Sequence, residues 1–282
     1  MGKYNSSTYR VQPVFDALRA KDKTGRSWLA PLLELPGRTG RQQLALSPDR
    51  VGEIQEAAWS PAERALPPPR GLLLDLAMHT QEPKPGRKRE PGDAWGGGEV
   101  GVKRRLLHAR DAATQQEACE LLFGTRVRSP GLDSWEILEG PTCPDVYLQT
   151  PTTIIVIEGK FTEDAPTTDT KWMRVRSQML RHIDAAWDQR DGRDVYGFFI
   201  VEDDDARAWK TASADTLTPE MVSKSLPHRS DATQAEITNG FLGSTAWEKV
   251  CAKFGLPKSL LKSTEEIDAA RSPGQPGDNH GA

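Results

Sequence analysis

The segment TTIIVIEGK, residues 152 to 160, constrains the fold of this chain more than any other stretch. Its apolar, β-branched run from Ile154 to Ile157 is typical of a strand that is buried on both faces. The run continues without a break into Glu158, Gly159 and Lys160. Because a core strand here ends in charged residues, the residues that lie beside that end are candidates for a functional site.

The preceding segment, PDVYLQT, residues 144 to 150, reads as a second strand and opens with an acid, Asp145. A short turn near residues 150 to 152 predicts that the two strands pair antiparallel. Because side chains alternate along a strand, Glu158 and Lys160 point to the same side. Asp145, at the far end of its own strand, then lies next to them. The pattern predicts that two carboxylates and one ammonium group meet at one point of a sheet.

Such a group of charges has a chemical use. Two carboxylates a few ångströms apart raise each other's pKa unless a cation lies between them. Oxygen ligands with open positions suit Mg²⁺ or Mn²⁺, and a lysine supplies positive charge for a phosphorane-like transition state or helps to orient or deprotonate water. Metal-assisted phosphodiester hydrolysis needs these parts. The alternative explanation is structural: a turn residue after Pro144 and an exposed charge pair at a strand end.

The segments before and after the hairpin also show patterns of regular secondary structure. Composition and periodicity predict a helix over DAATQQEACELLFG, residues 111 to 124, and a strand over SWEILEG, residues 134 to 140. After the hairpin, apolar residues at spacings of three and four predict an amphipathic helix of about five turns over residues 171 to 190. The segment VYGFFIVED, residues 195 to 203, then reads as a buried strand.

Pro144-Asp145, followed after twelve residues by Glu158-Gly159-Lys160, resembles the motif of the PD-(D/E)XK nuclease superfamily. The resemblance covers roughly residues 108 to 205. It implies an α/β, restriction-endonuclease-like core composed of a helix, a three-strand meander, a helix and a further strand. The predicted order of elements agrees with that core.

The resemblance also implies roles for individual residues. Asp145, Glu158 and Lys160 are the expected catalytic residues. Asp145 and Glu158, with the main-chain carbonyl of Gly159, are the expected ligands of Mg²⁺ or Mn²⁺. Many members carry a further acid on the first helix. Glu117 and Glu120 are the candidates here, and Glu117 is preferred because it lies one turn before Leu121, nearer the buried stripe.

Basic residues are the candidates for contact with nucleic acid. The formal net charge is only −3, so a nucleic-acid surface must be local. Positive residues fall on one stripe of the helix predicted over residues 171 to 190, with a glutamine facing the site, and a second basic cluster precedes the first helix. A solvated helix face is the alternative explanation for the stripe. The candidates are Lys171, Arg174, Gln178 and Arg181 on the stripe, and Lys103, Arg104 and Arg105 in the second cluster.

The remaining sequence suggests how the chain is divided. Residues 67 to 101 are rich in proline and glycine and are interpreted as a linker or long loop. They follow a mainly helical or irregular N-terminal accessory region, residues 1 to 66, a candidate surface for a homodimer or a partner protein. Residues 102 to 262 are interpreted as the nuclease-like domain with a C-terminal helical extension, and residues 263 to 282 as a disordered tail.

Three widely spaced cysteines and the lack of a long apolar run predict reduced thiols, a cytoplasmic location and no membrane partner. The leading hypothesis is a metal-dependent nuclease, expected to act on DNA rather than RNA, in a setting such as restriction or anti-phage defence. Two alternatives stay open: a catalytically inactive nucleic-acid-binding module of the same fold, and an interaction protein in which the motif arose by chance.

Overall fold

The fold is mixed α/β and is built around one five-stranded sheet. The computed structural model describes residues 5–37, 46–84, 94–123, 137–163, 165–202, 209 and 214–271. The strand order is β1-β2-β3-β4-β5; β1, β2 and β3 pair antiparallel, whereas β3, β4 and β5 pair parallel. The strands are β1 Glu56–Trp59, β2 Val146–Gln149, β3 Thr153–Gly159, β4 Asp194–Val201 and β5 Phe241–Ala246.

Helices cover both faces of this sheet and flank it. A π-helical turn, Ser7–Val11, leads into the first α-helix, and a 3₁₀ turn, Lys258–Leu260, precedes the last. The α-helices of the described residues are α1 Gln12–Lys21, α2 Leu29–Leu33, α3 Pro48–Val51, α4 Arg70–Met78, α5 Gly98–His108, α6 Ala112–Phe123, α7 Gln178–Asp188, α8 Pro219–Ser225, α9 Asp231–Gly240, α10 Trp247–Phe254 and α11 Thr264–Arg271. None of these helices is long and apolar enough to cross a membrane.

The hairpin of β2 and β3 confirms the predicted antiparallel pair. Val146 lies opposite Ile157, and the turn closes through a hydrogen bond from the Thr150 amide to the Thr153 carbonyl at 2.8 Å. Asp145 is the next residue before Val146, and Glu158 is the next after Ile157. The register therefore brings the two acids to the same end of the hairpin.

Strand β3 is buried along its whole length, as its apolar run predicts. Ile155 and Ile157 belong to the apolar cluster that α1 and α10 form on one face, whereas Ile154 and Val156 belong to the cluster that α7 forms on the other. Burying each of these aliphatic side chains contributes about 1.5–3 kcal/mol. The charged end of β3 is thus fixed by packing on both faces of the sheet.

The strand predicted over SWEILEG is wrong in the part that the structure describes. Residues 137 to 140 form a short 3₁₀ turn and bends, and residues 134 to 136 lie outside the described residues. The apparent alternation misleads because Leu138 and the neighbouring Glu139 are both buried. Glu139 is an ion-pair partner of Arg176 and Arg181 rather than a solvent-facing residue of a strand.

Strand β1 occupies the edge position next to β2 instead, and it comes from the region interpreted as accessory. Glu56 to Trp59 pair with Val146 to Gln149. Val14, Phe15 and Leu18 of α1 pack in the same apolar cluster as β2 and β3. In this structure the N-terminal residues therefore form part of the sheet and of its core.

The helix predicted over residues 171 to 190 is shorter than its periodicity indicates, because α7 begins at Gln178. The preceding residues form a loop in which the amide of Arg176 bonds to the carbonyl of Thr168 at 2.7 Å. Met179 and Ile183 pack against the sheet as the apolar stripe predicts. Trp172 lies instead in a separate cluster with α4 and α6.

Other segments predicted from the sequence also have different boundaries in the structure. Within the segment interpreted as a linker, residues 70 to 78 form α4, whose leucines pack against α6, whereas residues 85 to 93 lie outside the described residues. Strand β5 interrupts the C-terminal extension, which was predicted to be helical. Residues 264 to 271 of the predicted disordered tail form α11, and residues 272 to 282 lie outside the described residues.

Candidate active site

Asp145 is a buried carboxylate with a defined partner for each of its oxygens. Oδ2 accepts a hydrogen bond from the Gly159 amide at 2.8 Å, and Oδ1 accepts one from the Ser7 hydroxyl at 2.6 Å. Only 9% of the residue is exposed. The hairpin supplies the first contact, because the register sets Asp145 beside the end of β3, and the N-terminal π-helical turn supplies the second.

Burial and charge together raise the pKa of Asp145 from its ordinary 3.8 to about 7. Desolvation of the carboxylate is the larger cause, and repulsion by Glu158 adds to it. The hydrogen bonds from Ser7 and Gly159 and the charge of Lys160 lower the pKa, but they offset the other effects only in part. This carboxyl group is therefore half-protonated near neutral pH in the metal-free protein.

The two carboxylate oxygens of Glu158 have different contacts. Oε1 accepts hydrogen bonds from Lys160 Nζ at 2.9 Å and from Gln178 Nε2 at 2.5 Å. Oε2 lies 3.2 Å from His182 Nε2, yet both atoms are buried and neither has a hydrogen-bond partner within the described part of the chain. One oxygen of Glu158 is thus held by the protein, and the other has no donor aligned with it.

The pKa of Glu158 moves in the direction opposite to that of Asp145. Burial by itself would raise the pKa, but the adjacent His182 ring and the Lys160 ammonium outweigh burial and lower it to about 2. At neutral pH Glu158 is therefore ionised while Asp145 titrates. Two neighbouring carboxyl groups with separated pKa values are common where a cation or a proton is handled.

Gly159 is required by close packing of the Glu-Gly-Lys segment. A Cβ atom at this position would lie 2.5 Å from Val11 Cγ2 and 2.8 Å from Trp247 Cζ2. The indole of Trp247 also donates a hydrogen bond to the Lys160 carbonyl at 2.8 Å. These contacts fix the backbone that carries both charged side chains.

Comparison of the chain with protein-family models, with curated proteins and with solved structures finds no match.

The donor set of this site is compatible with Mg²⁺ or Mn²⁺. These cations prefer carboxylate and carbonyl oxygens. The register sets Asp145 beside Glu158 at one end of the hairpin, where Asp145 contacts the Gly159 amide rather than its carbonyl. The buried Glu158 Oε2, which has no hydrogen-bond partner among the described residues, is an atom that a cation would satisfy.

Glu117 is not brought to this pair. It forms an ion pair with Lys103 at 2.6 Å, on a helix that packs against α4 and α5. Within the described ranges, no three His, Cys, Asp or Glu side chains surround a common metal position. Any side chain that acts as a metal ligand in addition to the two carboxylates must therefore come from an element other than α6.

Of the four residues predicted on the basic stripe, Gln178 contacts a predicted catalytic residue, Glu158. Arg181 is half-buried and bonds to Glu139 at 3.1 Å and to the Gly140 carbonyl at 3.0 Å. Lys171 lies over the Trp172 ring, with its Nζ 4.9 Å from the centroid. Arg174 is exposed and lies on the loop before α7.

The second basic cluster lies on α5 and is mostly engaged within the protein. Besides the Lys103 ion pair, Arg104 donates to the Ile137 and Trp95 carbonyls at 2.9 and 2.8 Å. Its guanidinium also stacks on Trp172, and burial lowers the pKa of the group. Arg105 is exposed. Only Arg105 of this cluster offers an exposed charge to a nucleic acid.

Two residues of the site were not predicted from the sequence. Ser7 carries no local signal, because its partner lies 138 positions away. His182 does carry a signal in the sequence. It follows Gln178 by one helical turn, so both side chains lie on the same face of α7, and both approach Glu158.

Proposed function

We propose that this protein hydrolyses phosphodiester bonds of nucleic acid, with DNA as the expected substrate, in a reaction that depends on Mg²⁺ or Mn²⁺. One observation carries the proposal: the β2-β3 hairpin brings Asp145 beside the Glu-Gly-Lys end of β3, where Lys160 pairs with Glu158. Buried like charges are costly unless a cation joins them. The proximity of these three residues in the fold supports the proposal.

Each side chain has a distinct part in this proposal. Asp145 and the Oε2 atom of Glu158 would hold the cation, which would polarise the phosphate and make water a stronger nucleophile. Gln178 and Lys160 fix the orientation of Glu158 through its other oxygen. The Lys160 ammonium would also supply positive charge to the phosphate oxygens, where negative charge accumulates during the reaction.

A second candidate, a nucleic-acid-binding module without catalysis, is favoured by a different observation. Both oxygens of Asp145 already accept hydrogen bonds, and Asp145, Glu158 and Lys160 are each less than one-tenth exposed. In an inactive module these groups would stabilise the fold as a closed polar network. The two candidates make different predictions. In the nuclease, the carboxylates give up some of their hydrogen bonds to bind a metal ion, whereas in the inactive module they keep them.

The deciding experiment is a cleavage assay on plasmid, linear duplex, single-stranded DNA and RNA, with Mg²⁺ or Mn²⁺ compared with EDTA. Cleavage is expected with metal only and is expected to disappear in Asp145→Asn, Glu158→Gln and Lys160→Met proteins that stay folded. The exposed ion pair Glu220–Lys224 provides matched controls, because Glu220→Gln and Lys224→Met make the same chemical changes away from the site. Cleavage that survives in all three site variants refutes the assignment.

A further inference from the structure

The contact between Glu158 and His182 has an unusual geometry. Glu158 Oε2 and His182 Nε2 are 3.2 Å apart, and both are buried. Neither atom has a hydrogen-bond partner in the ranges that the structure describes. The other ring nitrogen, Nδ1, lies 2.9 Å from the Thr142 hydroxyl, which fixes the orientation of the imidazole. The two buried atoms thus lie within ion-pair distance of each other, but they are not aligned for a hydrogen bond.

An unsatisfied buried polar atom costs about 1–3 kcal/mol, so an arrangement of two such atoms needs a reason. When Nδ1 of His182 carries the proton and donates it to Thr142, Nε2 presents a lone pair toward the Glu158 carboxylate. In this tautomer the two lone pairs repel each other unless a cation lies between them, whereas a proton on Nε2 gives the attractive contact that lowers the pKa of Glu158. A cation also explains why Glu158 Oε1 is held by Lys160 and Gln178 whereas Oε2 is not.

We infer that Nε2 of His182 is a further ligand of the cation that Glu158 Oε2 binds, an inference that rests on the proposed function. It requires Asp145, Glu158 and His182 to close around a position that their side chains do not share in this structure. Two ligand atoms about 2.1 Å from an octahedral ion lie about 3 Å apart, which agrees with the 3.2 Å between Oε2 and Nε2. Thr142 has the role that hydrogen-bond partners commonly have behind a metal-binding histidine, since its contact with Nδ1 fixes the ring orientation.

A nitrogen ligand changes which metal the site prefers. Sites made only of oxygen ligands suit Mg²⁺, whereas imidazole favours transition metals, and Mn²⁺ accepts both kinds of ligand. The site therefore binds Mn²⁺ more tightly than Mg²⁺, and His182 accounts for the difference. The carboxylates bind either ion, so removal of the imidazole weakens Mn²⁺ binding more than Mg²⁺ binding.

Pulsed electron paramagnetic resonance on the Mn²⁺-loaded full-length protein tests the ligand directly, because a coordinated imidazole couples its ¹⁴N nucleus to the electron spin. The coupling is expected in the wild type and in His79→Gln, which alters an exposed histidine paired only with Asp75. It is expected to be absent in His182→Gln. Titration should show Mn²⁺ affinity reduced at least tenfold in His182→Gln and about tenfold or more in Thr142→Val, with a smaller change for Mg²⁺.

The possible results separate this inference from the proposed function. Mn²⁺ that binds wild type without ¹⁴N coupling, or with the same affinity in His182→Gln, overturns the role of His182 and leaves the carboxylate site standing. Wild type that binds no Mn²⁺ at millimolar concentration overturns both. If His182→Gln does not fold, the wild-type spectrum and the Thr142→Val titration still decide the question.

Discussion

The hydroxyl of Ser7 donates a hydrogen bond of 2.6 Å to Asp145 Oδ1, so the N-terminal turn of the chain holds a carboxylate of the candidate active site. The bond favours the ionised form of Asp145, whose pKa burial raises to about 7. The turn that carries Ser7 is anchored by Arg10, which pairs with Glu202 at 2.5 Å and bonds to the Lys262 carbonyl at 2.9 Å. The N-terminal residues therefore act on the site rather than only on the fold.

Ser7→Ala should raise the pKa of Asp145 further, because it removes a hydrogen bond that stabilises the carboxylate. The pH at which Mn²⁺ binding is half-maximal should move upward, and the free energy of unfolding should fall by about 1–2 kcal/mol. Metal titrations between pH 5.5 and 8.5 measure the shift. Thr8→Ala, an exposed neighbour, is the control, and an unshifted profile in Ser7→Ala would contradict the proposed coupling.

The metal-free protein should lose stability as pH rises, and Asp145 should cause part of this loss. Its pKa is about 7 in the folded protein and near 3.8 in the unfolded chain. Between these values the folded state binds more protons, so the contribution of Asp145 is present at low pH and is lost as pH rises through about 7.

Asp145→Asn removes that titration and should stabilise the metal-free protein at pH 8 by roughly 2 kcal/mol relative to its effect at pH 5. Denaturant unfolding in EDTA at several pH values is the measurement. Saturating Mn²⁺ should reverse the trend in wild type, since metal binds the ionised carboxylate, and should leave Asp145→Asn unaffected. Equal slopes for the two proteins in EDTA would show that Asp145 ionises normally.

Lys160→Met should separate metal binding from catalysis. The variant lacks the ammonium that pairs with Glu158 at 2.9 Å, so Glu158 is left as a buried, uncompensated charge in the metal-free state. Metal then replaces the missing cation, and the rise in melting temperature with Mn²⁺ should equal or exceed that of wild type. Cleavage should nevertheless be abolished. A variant that cleaves normally, or that no longer responds to Mn²⁺, would refute the role assigned to Lys160.

Arg174 and Arg104 should respond differently to substitution although both were predicted to bind nucleic acid. Arg174 is exposed, so Arg174→Ala should weaken binding to all sequences alike and reduce the slope of log affinity against log salt by about 0.9 for each phosphate that the side chain neutralises. Arg104→Ala should instead lower the melting temperature, since Arg104 bonds to the Ile137 and Trp95 carbonyls. Binding isotherms at several salt concentrations, with the exposed Arg105→Ala as comparison, distinguish the two effects.

Proteolytic cleavage between residues 80 and 100 should leave two fragments that stay together. Composition favours cleavage there, but β1 is hydrogen-bonded to β2, and α1 packs in the core of the sheet. Native size-exclusion chromatography of the cleaved protein should show one peak, which separates in denaturant. A C-terminal fragment that elutes alone with an unchanged melting temperature would restore the interpretation of residues 1 to 66 as a separate region.

Local pattern and tertiary contact contributed different parts of this structure. Periodicity predicted α6 and the buried strands β3 and β4. A helix or strand that packs on a core needs apolar residues at the spacing that faces the core, and this spacing is visible in the sequence. Periodicity failed for residues 137 to 140 and 171 to 177, where the buried ion pair of Glu139 with Arg176 replaces regular structure. The basic cluster around Arg104 suggested contact with nucleic acid, but Arg104 bonds to carbonyls inside the protein. A sequence does not reveal which of its donors are satisfied in this way.

Local patterns in the sequence were enough to predict the hairpin and the proximity of Asp145, Glu158 and Lys160, because a short turn and the two-residue period of a strand fix which side chains become neighbours. Three contacts depend instead on tertiary packing: Ser7 donates to Asp145, β1 pairs with β2, and Glu158 Oε2 lies beside His182. These contacts join residues far apart in the chain. They depend on how whole elements pack, and no local pattern encodes that arrangement.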